Sequence, residues 1–308
     1  MRILFFFSVI LQLSVLLSCK EEPVSQDDNE IISIDLSSLN VNRDEQVEII
    51  TWNIEQFPKR GDLSIQRAAD IINGVNADIY ALQEIRESAF FQDLLEKCPG
   101  YEGVLSEASQ FIKPAVIYKS SVLDLIAEQD LFQNAGGDTT FFFASRKPLN
   151  TDFLFNGSFA ISLINFHLKA FDDEQSENRR LESINILHNY VENRESNTSD
   201  SNFILLGDWN DDFDDFSDTT TTHPFYTFWQ DSLDFRFLTY DLATDDDESN
   251  DSYPNFSPPS FLDHILISHA LFDEAQSGEV RTLQMDEHLD TYFSEVSDHY
   301  PVMWKFTP

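Results

Sequence analysis

Basic residues are scarce in this chain. Nineteen Lys and Arg stand against 55 Asp and Glu, for a formal charge of −36 over 308 residues. A protein that grips a long polyanion by neutralising its phosphates carries a broad basic face. That is excluded here, so any phosphate contact must be local or carried by a divalent cation. The rest of the acidity reads as solubility. Cysteine is nearly absent: Cys19 and Cys98 allow one disulfide at most. Long apolar runs are missing as well, except at the start. There Ile3–Leu17 is broken only by Ser8, Gln12 and Ser14, which is short for a membrane-spanning helix. No internal repeat divides the remainder, and no linker interrupts residues 46–308.

The beginning of the chain reads as an address. Arg2, the short apolar core and Ser18-Cys19 have the layout of a secretory signal peptide over residues 1–18. Leu16-Leu17-Ser18-Cys19 resembles a bacterial lipobox, which implies lipidation of Cys19 and leaves Cys98 without a disulfide partner. Lys20-Glu21-Glu22 is similar to the surface-export signal of Bacteroidetes lipoproteins. Polar residues 19–45 read as a flexible tether. The expectation is an exported protein, anchored to the bacterial outer membrane through its N-terminal lipid only, displayed at the cell surface and monomeric.

From residue 46 the apolar pattern gives strands and helices. Strands are expected at Gln46–Trp52, Asp78–Gln83, Tyr101–Leu105, Ala115–Tyr118, Val122–Ala127, Phe141–Ala144, Thr151–Phe155, Phe159–Phe166, Phe203–Leu206, Phe261–Ile267 and Val302–Phe306. Helices are expected at Ser64–Val75, with Asp62 or Ser64 as cap, at Ser88–Lys97 and at Glu174–Asn193. Asn156-Gly157 is a hairpin signal. This order fits an α/β fold of two sheets with helices outside. The 28 phenylalanines fall largely on the strands and read as core.

Six strands share one peculiarity, an apolar run that ends in a residue able to hold a metal or a phosphate. The endings are Trp52-Asn53, Gln83-Glu84, Phe166-His167, Gly207-Asp208-Trp209-Asn210, Leu262-Asp263-His264 and Ser297-Asp298-His299. Each has an ordinary explanation alone, as a turn, a cap or a satisfied core histidine. Together they gather at one sheet edge, where active sites form. In an extended strand, residues two apart face the same side, so Asp208 and Asn210 project together. Carboxylates and amides without cysteine suit a hard cation such as Mg²⁺. Histidine, with an ordinary pKa of about 6.5 that a carboxylate partner can raise, suits the base that generates hydroxide.

As an ordered set, with Ser-Asp-His-Tyr-Pro-Val closing it, these motifs resemble the endonuclease/exonuclease/phosphatase superfamily over residues 46–308. The resemblance implies a four-layer sandwich of two mainly antiparallel β-sheets flanked by helices, and cleavage of phosphate esters with Mg²⁺, with Mn²⁺ or Ca²⁺ as alternatives. It implies Glu84, Asn53 and Asp298 as metal ligands and a His299–Asp263 pair that acts on water or the phosphorane. Asp208 and Asn210 would orient water and phosphate oxygens, with His167 on the opposite side. Gln83-Glu84-Ile85-Arg86 and Arg146-Lys147-Pro148 are similar to stretches of secretory deoxyribonucleases, which makes Arg86 and Arg146 substrate contacts. One stretch departs from that pattern. Residues 106–113 hold Glu107 as their one acid and no tyrosine, so His167 lacks the usual glutamate partner and duplex DNA its usual grip. The reading is an extracellular nuclease acting on DNA or RNA. The alternatives are a lipid- or sugar-phosphate esterase, such as one for sphingomyelin or inositol phosphates, and a non-catalytic binding module.

Overall fold

The computed structural model describes residues 33–308 except 44, 198–201, 215 and 218. The expected signal peptide, Cys19 and the first part of the tether lie outside the described residues. Twelve strands are present among those described: β1 (Val47–Phe57), β2 (Ile79–Ile85), β3 (Tyr101–Leu105), β4 (Lys113–Lys119), β5 (Leu123–Asp130), β6 (Leu149–Phe155), β7 (Phe159–His167), β8 (Phe203–Asp208), β9 (Phe235–Phe237), β10 (Asp263–Ser268), β11 (Glu279–Thr282) and β12 (Val302–Phe306). They form two six-stranded sheets, ordered β11-β12-β1-β2-β4-β3 and β5-β6-β7-β8-β10-β9. Helices α1 (Asp62–Val75), α2 (Ser88–Glu96), α3 (Gly137–Phe142) and α4 (Glu174–Asn197) are the first four in chain order.

Each sheet has one parallel pair near its centre, β1 with β2 and β7 with β8, and is otherwise antiparallel. Alternation along β1 splits its side chains between two cores. Val47 and Ile49 join the core that also holds β7, β8 and α4, whereas Ile50 and Trp52 pack with α1 and α2. The layers are therefore helices, sheet, sheet, helices. This is the four-layer sandwich that the family resemblance implies.

The topology carries the strand endings to one place. Parallel pairing brings the C-terminal ends of β1 and β2 side by side, with Asn53 opposite Gln83, and does the same for His167 and Asp208 on β7 and β8. Antiparallel β10 starts at that edge, so Asp263 lies opposite Asp208. Just below it, a buried amide pair ties the sheets together: Gln83 Nε2 donates to Asn165 Oδ1 at 2.8 Å. Gly207 makes the closest approach in this region. A Cβ there would lie 1.8 Å from the carbonyl oxygen of Phe166, and its φ of +145° is one that side chains rarely adopt.

Four local expectations change. The aromatic run Phe141–Ala144 is not a strand; it ends α3, with Phe143 buried and Phe141 exposed beneath the Arg179 guanidinium at 4.2 Å. A short apolar run has no period long enough to separate helix from strand, and packing decides. Helix α1 has Gly61 at its N-cap with no side-chain cap, while Ser64 Oγ donates instead to the Glu295 carbonyl at 2.5 Å. The stretch 33–43, assigned to the tether, is docked. Leu36 and Val41 are buried, and Asp70 accepts from Ser33 Oγ and the Ile34 amide at 2.5 and 2.9 Å. Strands β9 and β11, three and four residues long, carry no sequence signal of their own. Cys98 is a free, buried thiol, and no helix among the described residues is long and apolar enough to cross a membrane.

Candidate active site

The strand endings open into a cleft of about 630 Å³ lined by Asn53, Glu84, Arg146, His167, Asp208, Asn210, Asp298 and His299, with loop residues around them. Irregular backbone aims these side chains. Regular alternation would send Glu84 away from the face that Gln83 takes. A left-handed kink at Glu84 (φ 69°) and a register shift between Asn53 and Phe57 break that alternation. Glu55, Gln56 and Asn210 also have positive φ, at 40°, 44° and 52°. Such conformations persist where surrounding contacts impose them, and they cluster at functional sites.

Asp208 is the centre. Its Oδ2 accepts from Asn53 Nδ2 at 2.9 Å and lies 3.3 Å from His167 Nε2 and 3.9 Å from His299 Nε2. Its Oδ1 accepts from the Asn210 amide at 2.9 Å. Burial raises this carboxyl to about 7, against the pull of His299. His299 Nδ1 bonds the fully buried Asp263 at 2.7 Å. Burial works to lower this imidazole, but the charge and hydrogen bond of Asp263, then Asp208 and Asp298, push it up to about 10. The segment is fixed by Ser297 Oγ donating to the Asn53 carbonyl at 2.6 Å and by Tyr292 donating to the His299 carbonyl.

His167 has a different partner. Arg146 Nη1 lies 2.7 Å from His167 Nε2, and Arg146 Nη2 donates to the Leu168 carbonyl at 2.7 Å. Burial first, and then Arg146, hold His167 well below its ordinary value. A guanidinium has only donors, so Nε2 accepts and the ring proton sits on Nδ1. That Nδ1 is buried without a hydrogen-bond partner, 3.9 Å from Glu84 Oε1. Arg146 is thus a support for His167, where the sequence points to a phosphate contact. Arg86 is exposed and absent from the cleft lining. Arg180, in the cleft lining, is spent on Asp211 at 2.7 Å and on the Phe171 carbonyl at 2.6 Å.

Glu84 is held by the Gln56 amide at 2.7 Å and by Asn53 Nδ2 at 3.4 Å. Asn53 Oδ1 accepts from the Glu55 amide at 3.0 Å, which leaves one lone pair on that oxygen. Asp298 completes this side; burial raises it to about 6, and the nearby charges of Glu55 and Glu84 add to the rise. An amide oxygen and two carboxylates, with Asp298 raised by its crowding, fit a hard divalent cation, which would relieve that crowding. A second histidine–carboxylate group, His188 with Glu192 and Asp231, lies outside the cleft lining. There His188 bonds Asp231 at 2.9 Å and packs on Phe228 and Phe235, a tie between elements.

One neighbour of the centre has no strand ending to announce it. Tyr253, from the loop at 245–259, packs its ring on His299 with centroids 4.7 Å apart. The only sequence signal is an aromatic residue inside a polar, proline-containing loop shortly before Asp263.

A central carboxylate between two oppositely supported histidines, on a sandwich of two six-stranded sheets, defines a phosphoesterase of the deoxyribonuclease-like class. The Endonuclease/Exonuclease/phosphatase family profile matches residues 50–299, and the chain belongs to that family. Among solved structures it is similar to D. rerio TDP2 complexed with a single-strand DNA product, at 15% identity over 85% of this chain and 99% of that one, with a TM-score of 0.60. TDP2 from C. elegans is similar at 16% identity over 90% and 77%, TM-score 0.61. A Bacteroides thetaiotaomicron mannosyl-6-phosphatase is similar at 18% identity over 84% and 98%, TM-score 0.57. No curated protein matches.

Proposed function

We propose that the chain is a divalent-metal-dependent phosphodiester hydrolase, exported and lipid-anchored through Cys19, that degrades nucleic acid outside the cell. The observation that carries the chemistry is Asp208 Oδ2 between His167 and His299. A carboxyl near 7 is poised to take a proton from the attacking water. His299, kept cationic by Asp263, stands where charge develops on the phosphorane. Neutral His167, its ring held by Arg146, keeps its buried Nδ1 proton on the side of Glu84, 3.9 Å from Oε1. Asn210, whose amide Nδ2 reaches the Leu168 carbonyl at 3.3 Å, orients the water. A cation bound by Glu84, Asp298 and Asn53 Oδ1 would neutralise the phosphate and ease departure of the ester oxygen.

The substrate reading rests on the family and on the neighbouring TDP2 fold seen with a DNA product. A second reading, a lipid or sugar phosphate, is favoured by the cleft's charge. Eight carboxylates line it against two arginines, both already engaged. The test incubates purified protein with plasmid DNA and with bis-p-nitrophenyl phosphate, in Mg²⁺, Mn²⁺ or EDTA, with His299→Ala as control. Metal-dependent nicking that the substitution abolishes supports the nuclease. Diester turnover without cleavage of DNA moves the substrate to small or lipid phosphates, and silence in both assays sinks the enzyme reading.

A further inference from the structure

Six large apolar side chains are well exposed among the described residues, and two of them, Phe171 and Phe256, line this one cleft. Single exposed apolar residues are ordinary. These two are unusual in being held. Phe171 is 72% exposed on a backbone with φ of +83°, a conformation that a bulky residue adopts only under constraint. Buried Arg180 supplies the constraint by donating to the carbonyls of Lys169 and Phe171 at 3.0 and 2.6 Å while bonding Asp211 at 2.7 Å. The Lys169 ammonium sits 4.1 Å from the centre of the Phe171 ring.

Phe256 is built on the opposite support. Its ring stacks on Tyr253, 5.8 Å away at 27°, and Tyr253 in turn packs on His299. The loop is strapped down beside the reacting centre. Tyr253 and Ser260 exchange backbone hydrogen bonds at 2.9 and 3.3 Å, Ser252 Oγ accepts from the Asp263 amide at 3.0 Å, and the Ser252 carbonyl accepts from the Tyr300 amide at 2.7 Å. The aromatic series His299, Tyr253, Phe256 thus runs from the reacting centre to the rim.

We infer that Phe171 and Phe256 are stacking lips for flat rings flanking the phosphate, so that the cleft selects unpaired nucleotides by ring contact more than by charge. Bases in a duplex are stacked on each other and offer no free face, whereas those of a single strand do. The acid-rich lining, unfavourable to a train of phosphates, then becomes compatible with a nucleic-acid substrate. This inference rests on the phosphoesterase reading only for the position of the phosphate.

The test is calorimetric titration of the full chain carrying Asp208→Asn, which leaves the His299–Tyr253–Phe256 series in place, in Mg²⁺. The ligands are a short oligo(dT) and an abasic deoxyribose-phosphate strand of equal length, which has the same charge and no rings. Oligo(dT) should bind more tightly, and Phe171→Ala and Phe256→Ala should each weaken it by roughly 5- to 100-fold, the range for loss of base–aromatic stacking. Both positions are exposed, and Phe256→Trp should retain the preference. Equal affinity for the two strands, or a preference that survives both alanine substitutions, overturns the inference. Turnover of bis-p-nitrophenyl phosphate by the unsubstituted chain reports separately on the chemistry. Ring preference without turnover would sink the hydrolase and leave the lips standing.

Discussion

His299 and His167 face the same carboxylate from two sides and end in opposite states. Each has one hydrogen bond of 2.7 Å to a charged group. For His299 that group is Asp263, and the imidazole is pushed up to about 10. For His167 it is Arg146, and burial together with that guanidinium holds the ring well below its usual value. Distance is identical and burial similar, so the sign of the partner's charge decides. A site built this way carries a cationic donor and a neutral donor at once, without needing two residue types.

The comparison breaks most severely at Asp263→Asn. Without the carboxylate, only Asp208 and Asp298 are left to oppose burial of the His299 cation, and turnover should fall by roughly 10²- to 10⁴-fold, the scale of a lost acid–base contribution. Steady-state kinetics on bis-p-nitrophenyl phosphate would show it; a loss below tenfold would mean that the charge on His299 is unimportant. Arg146→Met acts on the other side. It frees His167 Nε2 and should cost roughly 10- to 100-fold, as expected for loss of a hydrogen bond from a charged group. Nitrogen NMR of the imidazole should show the Nδ1–H tautomer in the parent protein and a mixture in the variant. An unchanged tautomer would remove Arg146 from its supporting role.

The smallest effect is on stability. Asp208 and Asp298, raised to about 7 and 6, and His299, raised to about 10, all bind protons more tightly folded than unfolded. The contribution of the two carboxyls is present at low pH and lost as pH rises through 6 to 7. That of His299 is fully present below about 6.5 and lost as pH climbs through about 10. Chelated protein should therefore melt higher near pH 5 than near pH 8, and Mg²⁺ should narrow the gap by offsetting the carboxylate crowding. A gap that ignores Mg²⁺ in differential scanning fluorimetry would argue against a cation between Glu84 and Asp298.

Asn53, Glu84, His167 and Asp208 were legible in the sequence because a buried strand that stops at a polar residue is a local pattern. Asp263 instead begins β10 and His299 lies in the turn before β12, so these two were legible only through the motifs around them. The fold was legible for the same reason, with Phe203–Leu206 and Val302–Phe306 as its plainest strands. The role of Arg146 was not, since this loop residue depends on one twenty-one positions later, at the end of β7. The docking of Leu36 and Val41, and of Tyr253 against His299, likewise depends on surfaces that exist only after folding. Strand β9 shows the limit in its simplest form: three residues are too few to display a period.

Gly207 also sets how stiff the joint between the two catalytic strands is. Contact between β7 and β8 there is backbone against backbone, with no room for even a methyl group. Side-chain packing can relax by changing rotamers, but a peptide carbonyl pressed against a Cα has no such freedom. A side chain at position 207 would therefore act as a wedge, forcing β7 from β8 and His167 from Asp208 with them.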